Sequence, residues 1–173
     1  MAPEQLLMND RILNVNNTGG AWGLGTVESE KKLRPDDWYF TCHFYKDPVM
    51  AGSLIAEGCV QLLQFYMLYL GLQTLTEDAI FEPILNLPQI VRCRGQVIPS
   101  DSLMTYQLEV KDIGVDPEPY MIANIDVLVD DRIVVDFRDV GVRLVEKSGK
   151  EINQQIPLPD PIYAKPAFDE VAV

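Results

Sequence analysis

From Ser53 to Leu72 the chain reads SLIAEGCVQLLQFYMLYLGL, and only Glu57, Gln61 and Gln64 in this run are strongly polar. A run this long predicts one helix starting near Gly52-Ser53, able to cross a small domain at ~1.5 Å per residue. Apolar residues lie on nearly every side of it, which predicts burial inside a domain. Downstream the period changes. Leu103 to Val110, Ile122 to Val129 and Arg132 to Leu144 alternate apolar with polar residues, and Asp130-Asp131 separates the last two as a tight turn. These segments predict half-buried antiparallel strands. Upstream, LLMNDRILNVN, the cluster Asn16-Asn17-Thr18-Gly19-Gly20 and the run Leu24 to Leu33 predict a hairpin. Thr74 to Pro88 reads as a connector, and Gln89 to Val97 as a further strand.

One buried helix among five or six antiparallel strands predicts an α+β architecture, a curved sheet wrapped around a helix. Open sheet edges invite pairing with another chain, so edge-to-edge dimerisation is expected. At 173 residues with 47% hydrophobic content the chain suits a single core. The domain is expected over 1–150. Residues 151–173 include IPLPDPIYAKPAFDEVAV, which has no periodicity and reads as a proline-rich tail or linker.

A formal net charge of -12 argues against nucleic acid or an anionic membrane as partner, since both would repel the chain. Glu57, Gly58, Gln61 and Gln64 interrupt the apolar run too early for a membrane span. The start, MAPEQLLMNDR, lacks the basic and apolar segments of a secretory signal. Cys42, Cys59 and Cys93 form neither a disulfide framework nor, with one histidine, a spaced metal set. A reducing cytoplasm is expected, with no metal and, in the absence of a glycine-rich phosphate loop, no nucleotide cofactor.

Candidate chemistry concentrates between Trp38 and Gln61, WYFTCHFYKDPVMAGSLIAEGCVQ. It holds the only histidine, His43, a glycine-bearing turn, and Glu57 on the first full turn of an apolar helix. An imidazole accepts and returns protons near neutrality, and a carboxylic acid donates one to a departing hydroxyl. The backbone N–H of Gly52, at the positive end of the helix, suits a developing oxyanion. Each residue has a plainer reading. A lone histidine beside aromatics is usually packing, and Gln61 equally satisfies a buried hydrogen bond. Asp47 reads as a turn residue before Pro48, and Trp38, Tyr39, Phe40 and Phe44 read as core.

HFYKDPVMAGSLIAEGCVQLLQFY resembles the bacterial β-hydroxyacyl thioester dehydratase family of the hotdog fold, the dehydratase/isomerase type. Weaker likeness runs from LLMNDRIL through RGQVIP and VLVDDRIV to about Leu144, and the Ala51 variant and the tail look most like dehydratase domains of polyunsaturated fatty acid synthases. The resemblance implies a single hotdog domain that dehydrates β-hydroxyacyl groups on acyl carrier protein, with or without isomerisation of the new double bond. It implies His43 as general base and Glu57 as second catalytic residue, where this branch usually has aspartate. A carbonyl matching Val49 would orient the imidazole, and the residue matching Gln61 would hold the carboxylate. Ala51 stands where proline is usual, and Ser53 replaces the reactive cysteine of the isomerase branch.

The resemblance further implies a homodimer, or a pseudo-dimer with a second hotdog domain, in which His43 of one protomer faces Glu57 of the other. Freestanding members meet the phosphopantetheine-bearing carrier through basic residues on a late hairpin, where this chain reads VKDIGVDPEPY. A tether supplies high effective concentration without such a patch, which fits a domain of a larger synthase. Two other readings remain open, a hotdog thioesterase and a non-catalytic partner domain of a synthase.

Overall fold

The structure is a computed structural model that describes residues 4–147. After a 3-10 turn at Glu4–Leu6 come strands β1 (Arg11–Asn16) and β2 (Thr26–Lys32), a short helix α1 (Trp38–Cys42) and the long helix α2 (Gly52–Tyr69). A second 3-10 turn, Leu72–Leu75, leads to β3 (Ala79–Pro83), β4 (Ile90–Cys93), β5 (Leu103–Gly114), β6 (Tyr120–Val129) and β7 (Arg132–Glu146). All pairings are antiparallel in one sheet of order β1-β2-β5-β6-β7-β3, with β4 on the same side of β7 as β3.

Alternation builds this sheet. In β6 every second residue is buried, and the β6–β7 turn puts Asp130 and Asp131 at φ 48° and 63°, the left-handed pair a two-residue hairpin requires. The buried rows meet one face of α2 formed by Ile55, Cys59, Leu62, Leu63, Tyr66 and Met67. Each such side chain contributes about 1.5–3 kcal/mol through burial. Close approach is set by glycine: a Cβ at Gly58 would collide with the Tyr106 hydroxyl, and one at Gly25, which sits at φ 118°, with the Tyr66 hydroxyl.

Helix and hairpins fall where the pattern places them, and the curved sheet packed on one helix is the expected α+β arrangement. Four readings change. The connector Thr74 to Pro88 contains β3, an edge strand that tolerates Pro83 because its outer side needs no ladder bond. The run Gln89 to Val97 narrows to β4, whose four residues are all exposed. Helix α2 is not buried all round, for Leu68 is 40% and Tyr69 54% exposed. Tyr39 and Phe40 are core, but Trp38 (44%) and Phe44 (57%) face outward. The domain limit at 150 and the tail 151–173 lie outside the described residues. Among the described residues no helix is long and apolar enough to cross a membrane, and no group of His, Cys, Asp and Glu could hold a metal.

Candidate active site

His43 sits at the C-terminal cap of α1, its N–H donating to the Tyr39 carbonyl at 3.2 Å. Tyr39 fixes that helix from below, since its hydroxyl donates to Asp37 at 2.6 Å while Asp37 also accepts from the Arg34 N–H at 2.9 Å. Burial, then the Asp37 bond, push the Tyr39 hydroxyl well above the ordinary tyrosine range, so it stays a donor. Beyond His43 the chain turns back on itself. Phe44 and Asp47 exchange backbone hydrogen bonds at 3.0 and 3.1 Å, which makes Asp47 the turn residue expected of it. The Val49 N–H then donates to the His43 carbonyl at 2.8 Å.

The half-buried imidazole uses Nδ1 to reach the Val49 carbonyl at 2.9 Å. A carbonyl only accepts, so Nδ1 carries a proton, and in the neutral ring Nε2 keeps the lone pair. One residue on, the Met50 N–H donates to the Val97 carbonyl at 2.8 Å, which ties this loop to the chain leaving β4.

Gly52 opens α2, exposed, with nothing within 4 Å of where a Cβ would be. The first N–H groups of a helix have no acceptor within it, so the Gly52 N–H is left without a helical partner. Glu57 follows, half-buried, and its Oε1 accepts from Gln61 Nε2 at 2.9 Å. Gln61 also donates to the Leu6 carbonyl at 2.8 Å and accepts from the Met8 N–H at 2.9 Å. Beside Gln61 opens an apolar slot of about 320 Å³, bordered by Leu7, Ile12, Phe65, Leu68 and Phe81.

Within one chain, His43, Val49 and Gly52 fall in one segment and Glu57 and Gln61 form a second group. No hydrogen bond or ion pair joins His43 to Glu57. Around the first group large aromatic side chains are exposed beside Lys46 and Asp47: besides Trp38 and Phe44, Tyr45 is 87% exposed. On β4, Ile90 and Val91 are exposed too, and β4 pairs only with β7 among the described strands.

Sequence reasoning missed one polar cluster. Asp136 on β7 is 2% exposed and accepts from Arg92 at 3.0 Å and Arg94 at 2.6 Å, with Arg138 at 3.7 Å. Burial opposes its charge, but the Arg92 and Arg94 bonds and the nearby guanidinium charges outweigh that and hold the carboxyl below the ordinary aspartate value. The only available signal was an aspartate within the short apolar stretch Ile133 to Phe137.

The FabA-like domain family matches residues 1–138 of the chain. The chain belongs to that family. This FabA-like chain is 37% identical over 172 residues to a polyunsaturated fatty acid synthase subunit of Thraustochytrium sp., a match covering 86% of the chain. It spans 12% of that protein's length. Among solved structures, the dehydratase heterocomplex ApeI:P from Xenorhabdus doucetiae superposes with a TM-score of 0.63 at 11% identity, over 86% of this chain and 89% of that one. A hypothetical thioesterase with coenzyme A from Streptococcus pneumoniae superposes at 0.56 and 14% identity, over 82% and 89%. Likeness at such identities establishes the hotdog fold, and the FabA-like family supports a dehydratase or isomerase role.

Proposed function

We propose that this FabA-like domain dehydrates β-hydroxyacyl thioesters presented on the phosphopantetheine of an acyl carrier protein, as one domain of a larger synthase. The observation that carries the reading is a pair of half-sites on one chain with no hydrogen bond or ion pair between them, a histidine whose Nδ1 is held by the Val49 carbonyl and a carboxylate held one helical turn from its glutamine donor.

In the proposed reaction His43 Nε2 takes the Cα proton of the 3-hydroxyacyl thioester, and the Val49 carbonyl bound to Nδ1–H steadies the imidazolium that results. The thioester oxygen gains negative charge and is met by the Gly52 N–H at the start of α2. Glu57 of the partner subunit, as the neutral acid, gives its proton to the C3 hydroxyl. The C3–O bond breaks, water leaves, and a double bond forms between Cα and C3. Return of the His43 proton to the carboxylate restores both groups.

The proposed mechanism requires a homodimer, or a pairing with a second hotdog domain. The exposed aromatic side chains of Trp38, Phe44 and Tyr45, and separately the open edge of β4 with Ile90 and Val91 exposed, are features that a second domain would cover. The carrier protein enters through the relative, which is part of a fatty acid synthase.

The test supplies the purified domain with a 3-hydroxyacyl pantetheine thioester and follows enoyl product and free thiol together. Enoyl product without thiol supports dehydration. Thiol release favours a thioesterase, and neither signal favours the non-catalytic partner domain.

A further inference from the structure

The N-terminal segment Gln5–Asn9 touches both half-sites. The Trp38 indole N–H, on the helix that ends at His43, donates to the Gln5 carbonyl at 3.0 Å. The Leu6 carbonyl and Met8 N–H both engage the Gln61 amide, and Asn9 Nδ2 donates to the Gly58 carbonyl at 2.9 Å. Glu57 thus lies on α2 beside attachment points at residues 58 and 61. The segment is itself anchored, since Met8 is 1% exposed and Asn9 Oδ1 accepts from the buried Ser29 hydroxyl at 2.5 Å.

Gln61 is the critical link. An amide can rotate by half a turn, and in the other orientation its oxygen would face the Glu57 carboxylate and the Leu6 carbonyl together. The Leu6 carbonyl and the Met8 N–H admit only one orientation, the one that aims an N–H at Glu57. We propose that Gln5–Asn9 is a positioning strap that sets the Glu57 carboxyl through Gln61 and steadies His43 through Trp38, so that Asn9, Gln61 and Trp38 act as positioning residues. This rests on the roles proposed above for His43 and Glu57. Because those two residues of one chain serve different sites in the proposed dimer, each strap supports half of each site.

The experiment compares kcat and KM for 3-hydroxyacyl pantetheine dehydration in Gln61→Ala, Asn9→Ala, Trp38→Phe and their combinations, with denaturant midpoints measured alongside. Gln61→Ala lowers kcat by up to about 10²-fold with KM little changed, the scale of a misplaced reacting group. Asn9→Ala lowers kcat in the otherwise unaltered protein by loosening the segment whose Leu6 and Met8 backbone groups set the Gln61 amide, so its effect shrinks once Gln61 is alanine. Trp38→Phe keeps its own effect in the Gln61→Ala background, because it acts on the histidine side. If kcat is unchanged in Asn9→Ala and Trp38→Phe and only the denaturant midpoint moves, the strap is merely structural. An Asn9→Ala effect undiminished in Gln61→Ala also overturns it. Turnover retained by Glu57→Ala overturns the strap together with the dehydratase assignment, whereas an inactive Glu57→Ala with an additive cycle overturns the strap alone.

Discussion

His43 and Val49 hold each other through two reciprocal hydrogen bonds, imidazole Nδ1–H to the Val49 carbonyl at 2.9 Å and the Val49 N–H to the His43 carbonyl at 2.8 Å. Of the residues between them, the carboxylate Asp47 is an exposed turn residue whose backbone pairs with Phe44. His43→Ala and Glu57→Gln are each expected to cut turnover by about 10²–10⁴-fold, the scale of a lost general acid or base. Glu57→Gln is the sharper variant, since it preserves side-chain length but cannot give up a carboxylic proton. Circular dichroism and sedimentation should show the fold and assembly unchanged, and near-normal turnover in either variant would remove it from the mechanism.

Gly58→Ala drives a methyl group into the ring and hydroxyl of Tyr106, both fully buried. Overpacking of this kind costs about 1–3 kcal/mol. Among the described residues the Tyr106 hydroxyl has no hydrogen-bond partner, so Tyr106→Phe alone should be neutral or stabilising and should recover part of the Gly58→Ala loss. The ring carbons also crowd the added methyl, so recovery stays incomplete. Urea midpoints at constant m-value read both effects.

Asp136 predicts an acid-labile component of stability. Its carboxyl is held below 3.8 by the arginines around it, so the folded state binds its proton less readily than the unfolded chain. The stabilisation is complete above pH 3.8 and fades as pH falls through the lower folded-state value. Asp136→Asn should therefore be clearly less stable at pH 7, with the difference from the parent protein shrinking below pH 4. A difference that stays constant across this range would show that the charge is not the source.

Cys59 is fully buried, and desolvation raises its thiol well above the ordinary range, whereas Cys42 and Cys93 are exposed. A maleimide added to the native protein at pH 7 should leave Cys59 unmodified until denaturant is added. Peptide mapping by mass spectrometry identifies the labelled sites. Rapid native labelling of Cys59 would mean that α2 opens from the sheet.

The long helix and the three late strands were legible because their patterns differ, one continuous apolar run against alternation that is regular in β6 and most of β5 and looser in β7. Strand β3 was not. AIFEP is short, ends in proline and owes its conformation to β7, whose paired residues Val142 to Glu146 lie far along the chain. Trp38 and Phe44 read as core because hydrophobicity alone does not separate a residue buried in its own domain from one left on its surface. At the site, His43, Val49, Gly52, Glu57 and Gln61 were visible through one contiguous motif. The Asp136 cluster was hidden because its arginine partners lie 44 and 42 residues away. The strap was hidden for another reason, since it engages Gln61 and Trp38 mainly through backbone groups that no side-chain pattern reports.

The central claim, a dehydration site assembled from two protomers, is tested most directly by mixing His43→Ala with Glu57→Ala protein under conditions of protomer exchange and assaying enoyl formation. Random pairing makes half the dimers mixed, each with one intact site, so activity should recover to about a quarter of the parent level. No recovery despite exchange demonstrated by differently tagged protomers would contradict a site shared between identical chains.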